Sequence, residues 1–166
     1  ICHPSLCNDN LSGPVLATFL HEFLAQCELR HTYRFVFVPE TIGSLVYLSQ
    51  MGDHLRQHLR AGYVVTCVGD TGPFTYKRSR RGDTAADKVA EHCLQHVEPG
   101  TRTKVLDFFP SGSDERQYCS PGFDLPVGSP VRSMYGTYDE YHTSLDNLGF
   151  ISAEGMAESL KQYLRM

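Results

Sequence analysis

The chain has 166 residues, 41% hydrophobic and 20% charged, which suits one globular domain with room for a core. A net charge of -4 and scattered Lys and Arg argue against a nucleic-acid platform, and the basic run Lys77-Arg78-Ser79-Arg80-Arg81 is too short to change that. No apolar stretch approaches the ~20 residues that span a bilayer, and no signal-peptide pattern is present, so the expected location is cytoplasmic.

In chain order, Leu11 to Leu29 repeats apolar residues at three- and four-residue steps (Val15, Leu16, Phe19, Leu20, Phe23, Leu24, Cys27). This predicts an amphipathic helix with Ser12 and Pro14 as start signals. Tyr33 to Val38 (YRFVFV) reads as a strand. Thr41 to Met51 reads as a helix, and Asp53 to Arg60 as a second after a break at Gly52. Tyr63 to Val68 (YVVTCV) is a β-branched run of the kind found in a buried strand. Phe74 to Lys77 and Lys104 to Phe108 are further strands. Asp83 to Val97 is a helix capped by Asp83 or Thr84. Pro110 to Pro130, rich in Gly, Pro and Ser, reads as a functional loop, and Ser152 to Leu164 as a closing helix.

Helices alternating with buried strands imply an α/β fold with a mostly parallel central sheet flanked by helices. In such sheets, sites gather beyond the C-terminal ends of strands. The polar clusters fall at element ends. Asp9 precedes the first helix, Glu40 follows YRFVFV and Asp70 follows YVVTCV. Ser113-Asp114-Glu115-Arg116 follows KVLDF, and Tyr141-His142-Thr143 precedes the last helix.

His3, Asp9, Asp70 and His142 are a mixed imidazole and carboxylate set of the kind zinc favours. Zinc makes water acidic near neutrality, and a carboxylate beside it, here Glu40, would take the proton. Asn8 and Asn10 would orient Asp9. Each residue alone has an ordinary reading: Asp9 as a helix cap, Asp70 as a turn former, Glu40 as a first-turn acid, a histidine as a surface group. Only the joint pattern points to a metal.

The six cysteines form no CxxC pair, which rules out a zinc ribbon. They read as mostly reduced, buried thiols, with Cys2 and Cys7 as packing residues. The pairs His54/His58 and His92/His96 lack the glutamate of HExxH and read as solvated helix faces. Cys119 offers a nucleophile but no sequence rule picks its base, so a buried thiol is the favoured reading.

The motifs ICHPSLCNDNLSG, VPETIGS, TCVGDTG, FFPSGSDERQYCSPGFDLPVGS and EYHTSLDNL together resemble the bacterial aminopeptidase-like proteins of unassigned function. These are distant relatives of the co-catalytic zinc aminopeptidases of the leucyl aminopeptidase and glutamate carboxypeptidase type. The resemblance implies a three-layer sandwich. It also implies that His3 is the first histidine ligand, Asp9 the bridging aspartate, Asp70 the later aspartate, His142 the late histidine and Glu40 the general base. The family's second glutamate is Thr41 here, so one zinc is expected to be firmly held and a second weak or absent, unless Glu115 fills in. Zinc peptidases of this type have strands before the first histidine. The chain therefore reads as one aminopeptidase-like domain over 1-166, a fragment lacking its N-terminal part.

The function expected is zinc-dependent hydrolysis of a peptide or small amide, with no nucleic acid and no membrane as partner. His142 or a second metal would steady the oxyanion. Arg116, or Arg78 and Arg80, would pair with a substrate carboxylate, and Tyr118 or Tyr141 would hydrogen-bond the substrate. The alternative is a metal-binding recognition domain without catalysis on the same scaffold. A third reading, a cysteine hydrolase using Cys119, would resist chelation and yield to thiol alkylation.

Overall fold

A computed structural model describes residues 1–166. The chain opens on a π-type turn, Cys7–Leu11, in which Asp9 leaves helical backbone (φ −109°, ψ 85°). It continues through α1 (Ser12–Leu24), α2 (Ile42–His58), β1 (Gly62–Tyr63), β2 (Phe74–Lys77) and α3 (Ala85–Gln95). Then follow β3 (Thr103–Leu106), α4 (Glu115–Tyr118), β4 (Val127–Val131) and α5 (Ala153–Arg165). No helix is long and apolar enough to cross a membrane.

The four strands form one sheet in the order β1-β4-β2-β3. β1 runs parallel to β4, with Gly62 opposite Val127, and β2 runs parallel to β3, with Phe74 opposite Thr103. Only β2 and β4 are antiparallel, with Tyr76 opposite Pro130. The expected α/β architecture with a mostly parallel sheet flanked by helices is the one observed.

Helix ends follow local chemistry. Thr84 caps α3 in a reciprocal box with Asp87, which satisfies two backbone donors that a helix start otherwise leaves unpaired. Ser152 caps α5 by accepting the Gly155 N–H at 2.9 Å. The buried stripe of α3, Ala90 and Leu94, packs on Phe74 and Tyr76 of β2. α1 and α5 meet over Val68 through Leu16 and Tyr163, and the Tyr163 hydroxyl donates to the Pro130 carbonyl at 2.5 Å. Leu48 and Leu55 of α2 close on Cys119, Leu125 and Val127.

Four sequence expectations need correction. Tyr33 to Val38 forms no strand: residues 33–37 make no backbone hydrogen bond, and Tyr33, Val36 and Phe37 are exposed. β propensity describes a fit to a pleated neighbour, and this segment has none in the structure. Tyr63 to Val68 pairs as a strand only at its start. Farther on, Cys67 turns to φ +49°, and its N–H goes to the Asn8 carbonyl at 3.2 Å, so the run bends away to support the first loop.

Gly52 does not break a helix. α2 is continuous, and a Cβ at Gly52 would lie 2.4 Å from the Phe123 ring, so glycine is there to admit that ring. The stretch Pro110 to Pro130 is only partly loop, since it holds α4 and most of β4.

Candidate metal centre

The first loop is built around Asn8, Asp9 and Asn10, all buried. Asn10 Oδ1 accepts the backbone N–H of both Cys2 and His3, each at 3.3 Å, which ties the first residues to the Asp9 loop. Asp146, 1% exposed, accepts the N–H of Asn8 at 2.5 Å and of Asp9 at 2.8 Å through its two oxygens. Asn8 Oδ1 accepts the Gly69 N–H at 2.9 Å. Ser12 donates to the Asn8 carbonyl and accepts the Val68 N–H, which locks the start of α1 to the same frame.

Held this way, the Asp9 carboxylate is met from two sides. His3 Nδ1 lies 3.5 Å from Oδ2, and His142 Nε2 lies 3.1 Å from the same oxygen. The two imidazole rings are 4.3 Å apart between centroids. The Cys2 sulfur lies 2.9 Å from His3 Nδ1 and 3.8 Å from Asp9 Oδ1. Donor atoms of Cys2, His3 and Asp9 all fall within 4.8 Å of one another, and His142 flanks this set through Asp9. Thr66 Oγ1 donates to Asp9 Oδ1 at 3.4 Å.

Glu40 comes from the turn before α2. The Ile42 N–H donates to the Glu40 carbonyl at 2.7 Å across Thr41, which takes φ 62° and ψ −68°. This is a γ-turn with a positive φ on a β-branched residue, a conformation that costs about 1–3 kcal/mol. Two side chains brace it. Asp114 accepts the Thr41 N–H at 2.8 Å and the Ser44 hydroxyl at 2.5 Å, and Arg116 donates to the Thr41 hydroxyl at 3.0 Å. The Glu40 N–H donates to the Ile1 carbonyl at 3.1 Å, which sets Glu40 next to Cys2. Burial, reinforced by the Asp9 and Glu40 charges, pushes the Cys2 thiol up to about 12.

The remaining expected residues fall into two groups. His142, at φ 58°, stacks on Tyr141 with ring centroids 3.8 Å apart, so Tyr141 borders the centre. Burial, with the Asp9 charge next, pushes the Tyr141 hydroxyl up to about 12. The other group stands back. Asp70 is buried, and its oxygens accept from Asn8 Nδ2, the Ser133 N–H, the Ser133 hydroxyl and the Gly72 N–H at 2.6–3.2 Å. Four donors occupy this carboxylate, and it lies outside the Cys2-His3-Asp9 set. Arg116 is engaged by Thr41, and Tyr118 packs in the α2 core cluster. Glu115 is paired with Lys77 at 2.7 Å with both side chains fully buried, so it supplies no ligand at this loop.

Cys119 is fully buried, with its thiol donating to the Leu125 and Val127 carbonyls, and burial raises its pKa. The structure gives no support to a nucleophilic Cys119. All six cysteines are free, although Cys27 is exposed and Cys2 and Cys7 are half-buried, against the expectation of burial. Both paired-histidine helix faces are exposed. Sequence reasoning missed Asp146, Ser133 and the position of Cys2 beside His3. Only the adjacency of Cys2 and His3 carried a readable signal.

The family model for a domain of unknown function, DUF4910, matches residues 1–166. The chain belongs to this family. A Clostridium acetobutylicum protein named "Putative polysaccharide biosynthesis protein with aminopeptidase-like domain" is 52% identical over 165 residues, covering 99% of this chain and 37% of that protein. A crystal structure of a "putative peptidase" from Clostridium acetobutylicum superposes with a TM-score of 0.94 at 51% identity, over 99% of this chain and 38% of that one. Legionella pneumophila LapA matches with a TM-score of 0.73 at 14% identity, over 95% of this chain and 46% of that one, a likeness of fold alone. The DUF4910 chain thus spans less than half the length of each relative.

Proposed function

We propose that this domain is a zinc-dependent hydrolase of the aminopeptidase type that cleaves a peptide or small amide bond. The observation that carries the reading is the meeting of His3 and His142 at the buried Asp9 carboxylate, with Glu40 tied to the same stretch through its N–H bond to the Ile1 carbonyl. Imidazole nitrogens and a carboxylate are the donors zinc takes, and His3 and Asp9 lie within the reach of one ion. A bound zinc supplies a Lewis acid that polarises a carbonyl and makes water acidic near neutrality.

Glu40 stands beside this set on the braced turn, so it is the group that accepts the proton of the attacking water. His142 is half-exposed, with Nε2 3.1 Å from Asp9 Oδ2, which makes it a further nitrogen donor to the ion. Tyr141 stacks on His142 and limits its rotation. Asp70 and Asp146 act on Asn8 and Asp9 rather than on substrate.

The experiment is zinc content per chain together with release of aminoacyl anilides, comparing the protein with Glu40→Gln. Bound zinc in both proteins, with a rate lower by about 10²–10⁴-fold in the variant, is the expected result. Equal rates overturn the role of Glu40. A second reading, a metal-binding recognition domain without catalysis, draws support from Thr41, whose hydroxyl is held by Arg116 where the resembling peptidases carry a second glutamate. Zinc binding with no hydrolysis of any anilide in either protein favours that reading.

A further inference from the structure

We propose that Cys2 is a thiolate ligand of the metal, so that the centre is a sulfur, nitrogen and oxygen site rather than an imidazole and carboxylate site. The inference rests on the metal-binding reading above and goes beyond it, because it changes both the donor set and the metals the centre prefers.

The geometry points to the thiol. Tetrahedral zinc, with bonds of about 2.0–2.3 Å, sets its donors about 3.3–3.7 Å apart. The separations from Cys2 Sγ to His3 Nδ1, from His3 Nδ1 to Asp9 Oδ2 and from Cys2 Sγ to Asp9 Oδ1 are 2.9, 3.5 and 3.8 Å. These bracket the edges of one coordination shell, met by both oxygens of the Asp9 carboxylate, and with one donor atom per residue the three lie within 4.8 Å of one another. The placement is also built. Consecutive side chains of an extended segment diverge, yet Asn10 Oδ1 grips the N–H groups of Cys2 and His3 together and brings both side chains to one carboxylate.

Asp70, the residue the sequence offers as the third ligand, is occupied by four donors of its own. Cys2 stands where a third donor is needed. A thiolate selects zinc or cobalt over magnesium, calcium and manganese, which prefer all-oxygen shells.

The test is spectroscopic and needs no substrate. Protein stripped with chelator is titrated with cobalt(II), and absorption is compared for the native chain, Cys2→Ser and Cys2→His. The native protein is expected to show visible ligand-field bands together with a sulfur-to-cobalt charge-transfer band in the near ultraviolet. Cys2→His is expected to keep the visible bands and lose the charge-transfer band, and Cys2→Ser to bind zinc on the order of tenfold or more weakly. Zinc is also expected to protect Cys2 from alkylation, read by mass spectrometry at that residue.

Visible bands without charge transfer in the native protein overturn the ligand role of Cys2 while leaving the metal centre intact. A charge-transfer band that survives in Cys2→His assigns the sulfur to another cysteine and overturns it equally. No cobalt bound to the native chain overturns the metal reading and this inference together.

Discussion

Asp146 holds Asp9 by its backbone: the two residues are 137 positions apart, and Asp146 Oδ2 accepts the Asp9 N–H at 2.8 Å. Its other oxygen takes the Asn8 N–H at 2.5 Å, so one buried carboxylate fixes two successive peptide units. An amide at this position presents one oxygen and turns an N–H group toward a donor. Asp146→Asn is therefore expected to weaken zinc binding by about 10–100-fold, as loss of a supporting group does. It is also expected to lower stability by about 1–3 kcal/mol, the cost of stranding a buried donor. Competition with a zinc chelator and urea unfolding measure the two effects. Unchanged zinc affinity would remove Asp146 from the centre.

Asp70 offers a sharper contrast, because a ligand and a support predict different spectra. Its carboxylate accepts from Asn8 Nδ2 and from three donors at Gly72 and Ser133. Asp70→Asn disturbs that frame while leaving Cys2, His3 and Asp9 in place. The cobalt ligand-field bands are expected to keep their position while affinity and thermal stability fall. A shift of those bands would return Asp70 to the coordination shell.

The buried pair Lys77 and Glu115 makes a prediction away from the centre. Lys77 Nζ lies 2.7 Å from Glu115 Oε1, donates to the Ser111 carbonyl at 2.6 Å, and sits 3.6 Å from the Phe109 ring centroid. Glu115 Oε2 has no hydrogen-bond partner. Removing one charge leaves the other buried alone, so Lys77→Met is expected to cost about 3–5 kcal/mol. The double variant Lys77→Met/Glu115→Leu is expected to recover most of that loss, because an apolar pair carries no desolvation penalty. Urea unfolding of the single and double variants decides. A double variant as unstable as the single one would show that the pair is worth more than its replacement.

What the sequence made legible follows from which information is local. α3 announced itself through Thr84, whose capping bond reaches only three residues, and α5 was legible as a closing helix from Ser152. β2 and β3 were readable because a short apolar run with a paired neighbour is what β propensity reports. YRFVFV carries the same signal but no partner in this structure, so the propensity had nothing to act on. At the centre, Asp9, His142 and Glu40 were legible as residue types at element ends. Asp146 was not, since its role depends on a contact across 137 residues that no spacing encodes. Asp70 and Cys2 show the same limit. A carboxylate after a strand and a thiol before a histidine look alike as candidates until their hydrogen-bond partners are counted.

Asp87 carries the acid dependence of the α3 end of the fold. Burial disfavours its charge, but donors from Ser79 and Thr84 outweigh that and hold its carboxyl below the ordinary value. The Ser79 hydroxyl and N–H donate at 2.6 and 2.7 Å, and the Thr84 N–H at 2.9 Å. A carboxyl with a depressed folded pKa contributes stability that is fully present above its unfolded value, about 3.9, and is lost as pH falls through the folded value. Asp87→Asn is neutral at every pH and has no such term to lose. The variant is therefore expected to be less stable than the native protein at neutral pH, and the gap is expected to narrow as pH drops below about 4. Urea midpoints for both proteins across that range measure it. A gap that stays constant would show that Asp87 acts through the geometry of its hydrogen bonds and not through its charge.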